Sequence, residues 1–227
     1  MTNEKQLVGE KAAEFVQDGM IVGLGTGSTV RYTIEKIGKQ INQGISIRAA
    51  ATSIQTEQLA RECGIPLVGL NEVDELDLAI DGADEVNPAF HLIKGGGGAL
   101  LREKIIASSA RLFIVVADSS KMVNQLGRFP LPVEVERFGY TVTERKIRSL
   151  GGEPALRVKE GKPYVTDNGH YIFDCDFGII ASPEELEREL NLIPGVVENG
   201  LFIGMADTVI TVSGGQDIRI KKRTKQE

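Results

Sequence analysis

The chain has 227 residues, with 26 Lys and Arg against 32 Asp and Glu, which gives a formal net charge of −6. A negatively charged chain lacks the basic surface that nucleic-acid binding requires, so we expect no nucleic-acid partner. Hydrophobic residues make up 41% and charged residues 26%, proportions typical of a globular protein. At roughly 150 residues per domain, this length predicts one or two domains.

Cysteine and histidine are both scarce. Cys63 and Cys175 lie far apart, in no metal-ligand spacing, which favours a reduced chain and hence a cytoplasmic location. With His91 and His170 as the two histidines, we expect neither a histidine-rich metal site nor a Ser-His-Asp triad. The N-terminal segment is charged throughout and no run approaches the ~18 apolar residues of a membrane span, so no signal peptide and no membrane partner are expected.

The first part of the chain alternates between two kinds of hydrophobic pattern. Apolar residues at helical spacing alternate with short, continuously apolar runs, a pattern typical of a parallel sheet covered on both faces. This favours an α/β fold with a Rossmann-like sheet. The predicted helices cover 4–17, 28–43, 53–63 and 98–110, and the predicted strands cover 20–24, 45–51, 65–69, 76–80 and 112–117.

The pattern changes near residue 130. Strands at 133–136, 155–159, 170–174 and 196–204 and helices at 141–150 and 183–191 give the order βαββαβ, which predicts a smaller ferredoxin-like α+β domain. A last buried strand at 208–212 is expected to return to the first sheet. The predicted domains are therefore 1–129 plus 206–227 for the Rossmann-like catalytic domain, and 130–205 for the domain inserted near the C-terminus.

A first glycine cluster, GLGTGST at 23–29, joins a predicted strand to a predicted helix. Glycines that admit a ligand to the backbone, followed by the free N–H groups of a helix start, make an anion site. Ser28 stands where a dinucleotide fingerprint needs its third glycine, and no Lys precedes it as in a Walker loop. Two interpretations stay open: a tight turn with a serine cap, and a cradle for one phosphate.

A group of carboxylates, DGADE at 81–85, follows the predicted strand 76–80. In parallel sheets the carboxyl ends of the strands face the ligand crevice. Asp81 and Asp84 are suited to proton transfer with sugar hydroxyls or to binding a divalent ion, while Asp-Gly alone is a turn signal. On the motif alone, the turn, the metal site and the acid–base role stay open.

A second glycine cluster, Gly95–Gly98, follows Lys94 and precedes a helix. Four successive glycines cost much backbone entropy, which favours a backbone that must pass close to a ligand and direct N–H groups at negative charge. Lys94 beside them is suited to stabilising an oxyanion. The alternative is a flexible loop, which leaves the lysine and the following helix unexplained.

Glu103 lies on that helix in an unusual setting. At about 100° per residue, it shares a face with Ala99, Leu100, Ile106, Ala107 and Ala110. A carboxylate that is partly desolvated there is expected to have a raised pKa and to serve as a general base. The alternative is a buried glutamate paired with a structural Arg or Lys.

Six segments, GLGTGSTV, DGADEV, KGGGGALLREKI, ADSSK, VTDNG and IPGVVENGLF, occur in this order between residues 23 and 203. Together they resemble ribose-5-phosphate isomerases of the A type. The resemblance implies interconversion of ribose 5-phosphate and ribulose 5-phosphate, without a metal or other cofactor, in the non-oxidative pentose phosphate pathway. It also implies a homo-oligomer, a dimer or a tetramer.

The resemblance further implies which residues serve that reaction. Glu103 falls on the family's catalytic base, Lys121 on a substrate-binding lysine and Lys5 on a phosphate-contacting lysine. A fourth glycine stands at Gly98, where some members of the family carry Ala. The remaining implied substrate-binding residues are Thr26, Gly27, Ser28 and Thr29, chiefly for the phosphate, and Asp81, Gly82, Ala83, Asp84, Lys94, Gly95, Gly96 and Gly97 along the sugar.

These residues give a hypothesis for aldose–ketose isomerisation through an enediolate. Glu103 takes the proton from C2 and returns it to C1, while Asp81 and Asp84 handle the hydroxyl protons during ring opening. Lys94 and the N–H groups of 95–97 hold the enediolate oxygen. The expected catalytic residues are therefore Glu103, Asp81, Asp84 and Lys94, with no metal.

Three other functions are weighed against this one. A sugar-phosphate-sensing module would carry a helix-turn-helix and a basic face, and the sequence shows neither. An amino-sugar-phosphate isomerase or deaminase would use the same phosphate loop with a different carbonyl site. A CoA-dependent transferase would use a glutamate as nucleophile.

Overall fold

The computed structural model describes residues 3–223. Within them the chain forms two compact units. The first contains residues 3–83, 102–122 and 205–223, and the second contains 84–101 and 123–204.

Six α-helices, two short 3₁₀ helices and fifteen strands occur in the described residues, and none of these helices is long and apolar enough to cross a membrane. The α-helices are α1 (Glu4–Ala13), α2 (Val30–Ile41), α3 (Ile54–Glu62), α4 (Leu100–Ser108), α5 (Tyr140–Ser149) and α6 (Pro183–Asn191). The strands are β1 (Ile21–Leu24), β2 (Arg48–Ala51), β3 (Leu78–Gly82), β4 (Glu85–Val86), β5 (Leu92–Ile93), β6 (Phe113–Val116), β7 (Leu131–Val135), β8 (Glu153–Leu156), β9 (Val158–Lys159), β10 (Lys162–Pro163), β11 (Tyr171–Asp176), β12 (Val196–Asn199), β13 (Leu201–Phe202), β14 (Thr208–Ser213) and β15 (Asp217–Lys222).

The first unit is built on a six-stranded sheet in the order β15-β14-β6-β3-β1-β2. The five strands from β14 to β2 are parallel, and β15 is antiparallel to β14. Every residue of β6 is buried, as expected of a central parallel strand with both faces covered. The prediction of a Rossmann-like parallel sheet, including the return of strand 208–212, is confirmed.

One predicted strand is wrong. Residues 65–69 form only an isolated parallel bridge between Leu67 and Ala49 beside β2. The Ala49 N–H donates to Pro66 O and the Val68 N–H donates to Ala49 O. Pro66 has no N–H to donate, so the ladder cannot continue through it.

The second unit contains a four-stranded antiparallel sheet in the order β12-β7-β11-β8. In chain order these are the fourth, first, third and second strands of the βαββαβ segment. Its helices, α5 and α6, begin and end within a few residues of their predicted positions. The predicted ferredoxin-like α+β unit is therefore confirmed.

The predicted strand 196–204 is interrupted at Gly200. A β-carbon there would lie 2.3 Å from Lys94 O, so the glycine permits a close backbone approach. Beyond it, β13 pairs with β5, which pairs with β4 in a small three-stranded sheet that the sequence did not predict. Two-residue strands leave no periodic pattern to detect.

Residues 84–101, which include β4 and β5 of this small sheet, belong to the second unit. The division at 1–129 plus 206–227 and 130–205 therefore differs from the two compact units, which also place 123–129 in the second. As boundaries of independently folding domains, the predicted division stays a prediction. Residues 1–2 and 224–227 of the predicted first domain lie outside the described residues.

Candidate functional site

In the first unit, the loop after β1 and the end of β3 lie side by side. The chain adds β2 on one side of β1 and β3 on the other, so the strand order reverses between β1 and β3. Ligands of open parallel sheets bind at the carboxyl ends of the strands at such a reversal. The segments 25–29 and 81–82 lie at this position.

Asp81 is held tightly at that edge. Its side chain is 3% exposed. Its Oδ1 accepts hydrogen bonds from the Gly82 N–H at 2.7 Å and the Thr26 N–H at 3.2 Å. A β-carbon on Gly25 would lie 2.0 Å from the same oxygen, so only glycine fits beside this carboxylate. The carboxylate is thus fixed in position by the backbone of the glycine loop.

The Thr26 side chain belongs to a cluster of four hydroxyl groups. Its Oγ1 lies 2.7 Å from Thr52 Oγ1, 2.8 Å from Ser53 Oγ and 3.0 Å from Thr56 Oγ1. Ser53 also caps α3 by accepting from the Thr56 N–H. The hydroxyl of Thr26 is therefore engaged with the start of α3, while Gly27 and Ser28 are exposed.

Lys5 reaches the same loop from α1. Its Nζ donates to Ser28 Oγ at 3.0 Å. The start of α1 is fixed by Glu4, whose Oε2 accepts from the N–H and Oγ of Ser119 at 2.9 and 2.7 Å. Lys5 and Lys121 border one open cavity of about 390 Å³, lined by Asn3, Glu4, Lys5, Asp118, Ser120 and Lys121. Two of the predicted substrate-binding lysines thus line the same cavity, and one of them, Lys5, contacts Ser28.

Glu103 lies in the first turn of α4 and is 3% exposed. Four neighbours on the predicted face, Ala99, Leu100, Ile106 and Ala107, are at most 5% exposed, and Ala110 is partly buried, while Ile105 is 44% exposed. The predicted burial of Glu103 on an apolar face is confirmed. A β-carbon on Gly23 of β1 would lie 2.5 Å from the Ile106 side chain, so this glycine allows α4 to pack against β1.

In the second unit, Asp84 is bound to the glycine-rich loop. Its Oδ2 accepts from the Gly96 N–H at 2.8 Å, and a β-carbon on Gly96 would lie 2.7 Å from Oδ1. Gly95 has a φ of +102°, with Pro132 closely packed against it. Gly96 and Gly97 are exposed. The backbone of the loop is therefore in contact with Asp84 and Pro132.

Lys94 is 2% exposed, an uncommon burial for a lysine. Its N–H donates to Gly200 O at 2.9 Å, and its Nζ lies 5.4 Å from the centre of the Phe202 ring. Burial of this kind restricts the ammonium to few positions. The structure thus fixes both the backbone and the side chain at Lys94.

Sequence reasoning missed several polar residues around these segments. Thr52, Ser53 and Thr56 lie in a segment with no glycine or charge to mark it, and their role appears only through contact with Thr26. Arg157 donates from Nη1 to Gly95 O at 3.0 Å, across 62 residues of chain. No local pattern signals a contact at that separation.

The first unit contains another cavity. A cavity of about 430 Å³ is bordered by Arg61 of α3 and by Arg102 and Ile105 of α4, and includes none of the predicted site residues. Within residues 3–223, no group of three or more His, Cys, Asp and Glu side chains is arranged to hold a metal ion.

Comparison with known proteins places the chain in a family. Residues 48–216 match the family model "Ribose 5-phosphate isomerase A (phosphoriboisomerase A)". The ribose-5-phosphate isomerase A of Bacillus mycoides is 56% identical over 211 residues, which cover 92% of this chain and 96% of that protein. A solved ribose 5-phosphate isomerase from Plasmodium falciparum is 36% identical, with a TM-score of 0.94 and 98% of each chain covered.

A second solved relative is a D-ribose-5-phosphate isomerase in complex with phospho-erythronic acid. It is 41% identical to this chain, with a TM-score of 0.93, and the match covers 97% of this chain and 98% of that one. The family model, the near-full-length identity and the shared fold agree. The chain therefore belongs to the ribose-5-phosphate isomerase A family.

Proposed function

We propose that the chain interconverts D-ribose 5-phosphate and D-ribulose 5-phosphate, as an aldose–ketose isomerase of the non-oxidative pentose phosphate pathway. Its family membership supports the reaction. The observation that carries the mechanism is the burial of Glu103, a carboxylate 3% exposed on an apolar helix face. A proton must move from C2 to C1, and a shielded carboxylate is suited to that transfer.

Glu103 acts as the general base. It abstracts the C2 proton of the open-chain aldose, which leaves an enediolate with its charge on O1. It then returns that proton to C1, while the O2 hydroxyl proton passes to O1 and the carbonyl forms at C2. Its apolar neighbours Leu100 and Ile106 exclude water from the helix face on which it lies. Because water is excluded from the base, the abstracted proton is protected from exchange with the solvent.

Asp81 and Asp84 handle the hydroxyl protons during ring opening. Asp81 is oriented by the Gly82 and Thr26 N–H groups, and Asp84 by the Gly96 N–H. A carboxylate fixed by backbone donors has few orientations, so it presents its proton-accepting oxygen without first paying for reorganisation.

Lys94 and the backbone of 95–97 stabilise the enediolate oxygen. The buried ammonium of Lys94 supplies positive charge, and charge stabilisation is stronger where water is excluded. Because the Gly96 N–H already donates to Asp84, Gly95 and Gly97 are the expected N–H donors of this segment.

The substrate phosphate binds at the first unit's loop, with Gly27, Ser28 and Thr29 as backbone and hydroxyl donors and Lys5 and Lys121 as cations. The contact of Lys5 with Ser28 and the cavity that Lys5 shares with Lys121 support this assignment. Thr26 contributes through its hydroxyl cluster and its backbone. Remote binding energy of this kind holds the sugar in place for reaction.

The test is the formation of ribulose 5-phosphate from ribose 5-phosphate by the purified chain, with and without EDTA. The proposal predicts turnover that EDTA leaves unchanged, since no metal takes part. Activity abolished by EDTA contradicts the metal-free mechanism. No turnover of any pentose phosphate, together with binding of ribose 5-phosphate, favours a sugar-phosphate sensor instead.

The same proposal includes a cytoplasmic homo-oligomer, a dimer or a tetramer. Both cysteines are free, as a reducing compartment predicts. In the second unit, Phe138, Ile179 and Leu192 are 90%, 70% and 75% exposed, and they are the candidate contacts of a subunit interface. Light scattering of the purified chain tests the assembly, and a monomer at all concentrations contradicts it.

A further inference from the structure

We propose that Arg157 is a positioning residue for the glycine-rich loop: its guanidinium fixes the orientation of the peptide groups of Gly95 and Gly96, and through them the N–H of Gly97. Arg157 touches no reacting atom in this scheme. The proposal rests on the proposed function, because it assigns the 95–97 backbone to the enediolate. It adds a residue that lies 62 positions from Gly95 to the machinery of that loop.

The guanidinium of Arg157 is held by Asp174 of β11. Arg157 Nε donates to Asp174 Oδ2 at 2.9 Å and Nη2 donates to Oδ1 at 2.5 Å. The arginine side chain is 15% exposed and the aspartate side chain 30% exposed. Two parallel bonds between a planar fork and a carboxylate fix the orientation of the guanidinium as well as its position.

The remaining nitrogen, Nη1, is directed at the glycine-rich loop. It donates to Gly95 O at 3.0 Å and to Gly96 O at 3.3 Å. Glycine backbone adopts many conformations, so consecutive glycines keep one arrangement only where their peptide groups are fixed from outside. Arg157 supplies that constraint on the carbonyl side of two successive peptide groups.

The N–H groups at the other ends of these two peptide groups are those of Gly96 and Gly97, which belong to the segment assigned to the proposed chemistry. In a trans peptide the C=O and the N–H of one plane point in opposite directions. The Gly95 carbonyl bonded to Arg157 therefore directs the Gly96 N–H away from the guanidinium, where it donates to Asp84 at 2.8 Å. By the same geometry, the Gly96 carbonyl bonded to Arg157 directs the Gly97 N–H away from it.

A tyrosine completes the arrangement. The Arg157 guanidinium carbon lies 5.9 Å from the centre of the Tyr164 ring, and the Tyr164 N–H donates to Arg157 O at 2.8 Å. A β-carbon on Gly98, which has a φ of +81°, would lie 2.4 Å from the Tyr164 hydroxyl. The tyrosine thus bounds the end of the glycine run that Arg157 does not reach.

This geometry is specific to arginine. A lysine ammonium can reach one acceptor group but cannot donate a fork to Asp174 and a third nitrogen to the loop carbonyls. The positive charge near the two carbonyls also polarises their peptide groups, which strengthens the N–H donors at the other end. We expect the stronger N–H donors to matter most at the enediolate oxygen, where negative charge develops in the reaction.

The experiment compares Arg157→Met with the wild type by calorimetry and by kinetics. Two ligands are titrated: inorganic phosphate, and phospho-erythronic acid, whose carboxylate carries charge where the enediolate would. The variant is expected to bind phospho-erythronic acid about tenfold or more weakly and to lose about 10- to 100-fold in kcat, since a single oxyanion donor is worth at least that much. Its affinity for inorganic phosphate and its KM are expected to change less than about threefold, because the lysines proposed to bind the phosphate, Lys5 and Lys121, lie elsewhere in the chain.

The controls separate positioning from a loss of folded protein. Calorimetric stoichiometry reports the folded fraction, and a dissociation constant does not depend on that fraction. Arg145→Met, at an exposed arginine of α5, serves as the matched control and is expected to behave as the wild type. Arg157→Lys is expected to fall between Arg157→Met and the wild type.

Unchanged affinity of Arg157→Met for phospho-erythronic acid overturns the proposal, even if kcat falls. Equal weakening of both ligands also overturns it, because that result indicates a general structural role. If the wild type does not isomerise ribose 5-phosphate, the proposed function fails on that ground alone. The two titrations still report on Arg157 in that case, so the two failures are distinguishable.

Discussion

Gly25 and Asp81 pack directly against each other at the carboxyl edge of the first unit's sheet. A β-carbon on residue 25 would lie 2.0 Å from Asp81 Oδ1. The backbone of the glycine loop and the carboxylate of the neighbouring strand are therefore mutually dependent. The Thr26 N–H, which donates to the same oxygen, reinforces this dependence. Moving either partner displaces the other.

We predict that Gly25→Ala destabilises the chain by about 1–3 kcal/mol, as overpacking does, and lowers kcat/KM about 100-fold by displacing Asp81. Urea unfolding and steady-state kinetics measure the two effects. Gly64→Ala is the matched control: Gly64 has a φ of +72° with open space around it, so it carries backbone strain without a clash. Retention of full activity by Gly25→Ala shows that Asp81 does not depend on this contact.

Lys94→Ala is expected to lower kcat by about 100-fold, the loss typical of a single oxyanion-stabilising group. The affinity for inorganic phosphate should change little, because the lysines assigned to the phosphate lie in the first unit. Thermal unfolding checks that loss of the buried side chain has not unfolded the variant. A loss of phosphate affinity equal to the loss of kcat would instead make Lys94 a phosphate ligand.

Lys5→Met is expected to have the opposite kinetic signature. Removal of a charge-assisted contact to the phosphate should raise KM and the dissociation constant of inorganic phosphate by about tenfold, with kcat nearly unchanged. Lys39→Met, at an exposed lysine of α2, provides the control. An unchanged phosphate affinity in Lys5→Met limits Lys5 to its contact with Ser28.

Burial raises the pKa of the Cys175 thiol far above its ordinary value. The folded chain keeps this proton at alkaline pH, whereas the unfolded chain releases it above about pH 9. The contribution to stability is therefore complete below that pH and declines as the pH rises. We predict that the free energy of unfolding in urea falls less steeply between pH 8.5 and 10.5 in Cys175→Ala than in the wild type; equal slopes contradict this account.

Much of the fold follows from local pattern. The continuously apolar run of β6 and the βαββαβ order of the second unit correspond closely to the observed elements. The small sheet of β4, β5 and β13 does not, because each of its strands has two residues and is held by pairing with chain far away in sequence. The segment at 65–69 was apolar enough for a strand, but Pro66 limits it to a single bridge.

In the candidate site, too, local patterns could be predicted from the sequence and tertiary contacts could not. Glu103 could be placed on a buried face from helical periodicity alone, and burial confirms it. The bond from the Gly96 N–H to Asp84 and the bonds from Arg157 to the loop carbonyls depend on tertiary packing, which no motif encodes. The catalytic and binding roles of these residues stay predictions that kinetics must test.

In the proposed mechanism, Glu103 moves the proton between C2 and C1. This role is tested by the kcat of Glu103→Gln for ribulose 5-phosphate formation, with calorimetric titration of phospho-erythronic acid on the same sample. Glutamine keeps the size of the side chain but cannot accept the proton, so kcat is predicted to fall by about 10²- to 10⁴-fold while the ligand still binds. A variant with near wild-type kcat would remove Glu103 from the role of base.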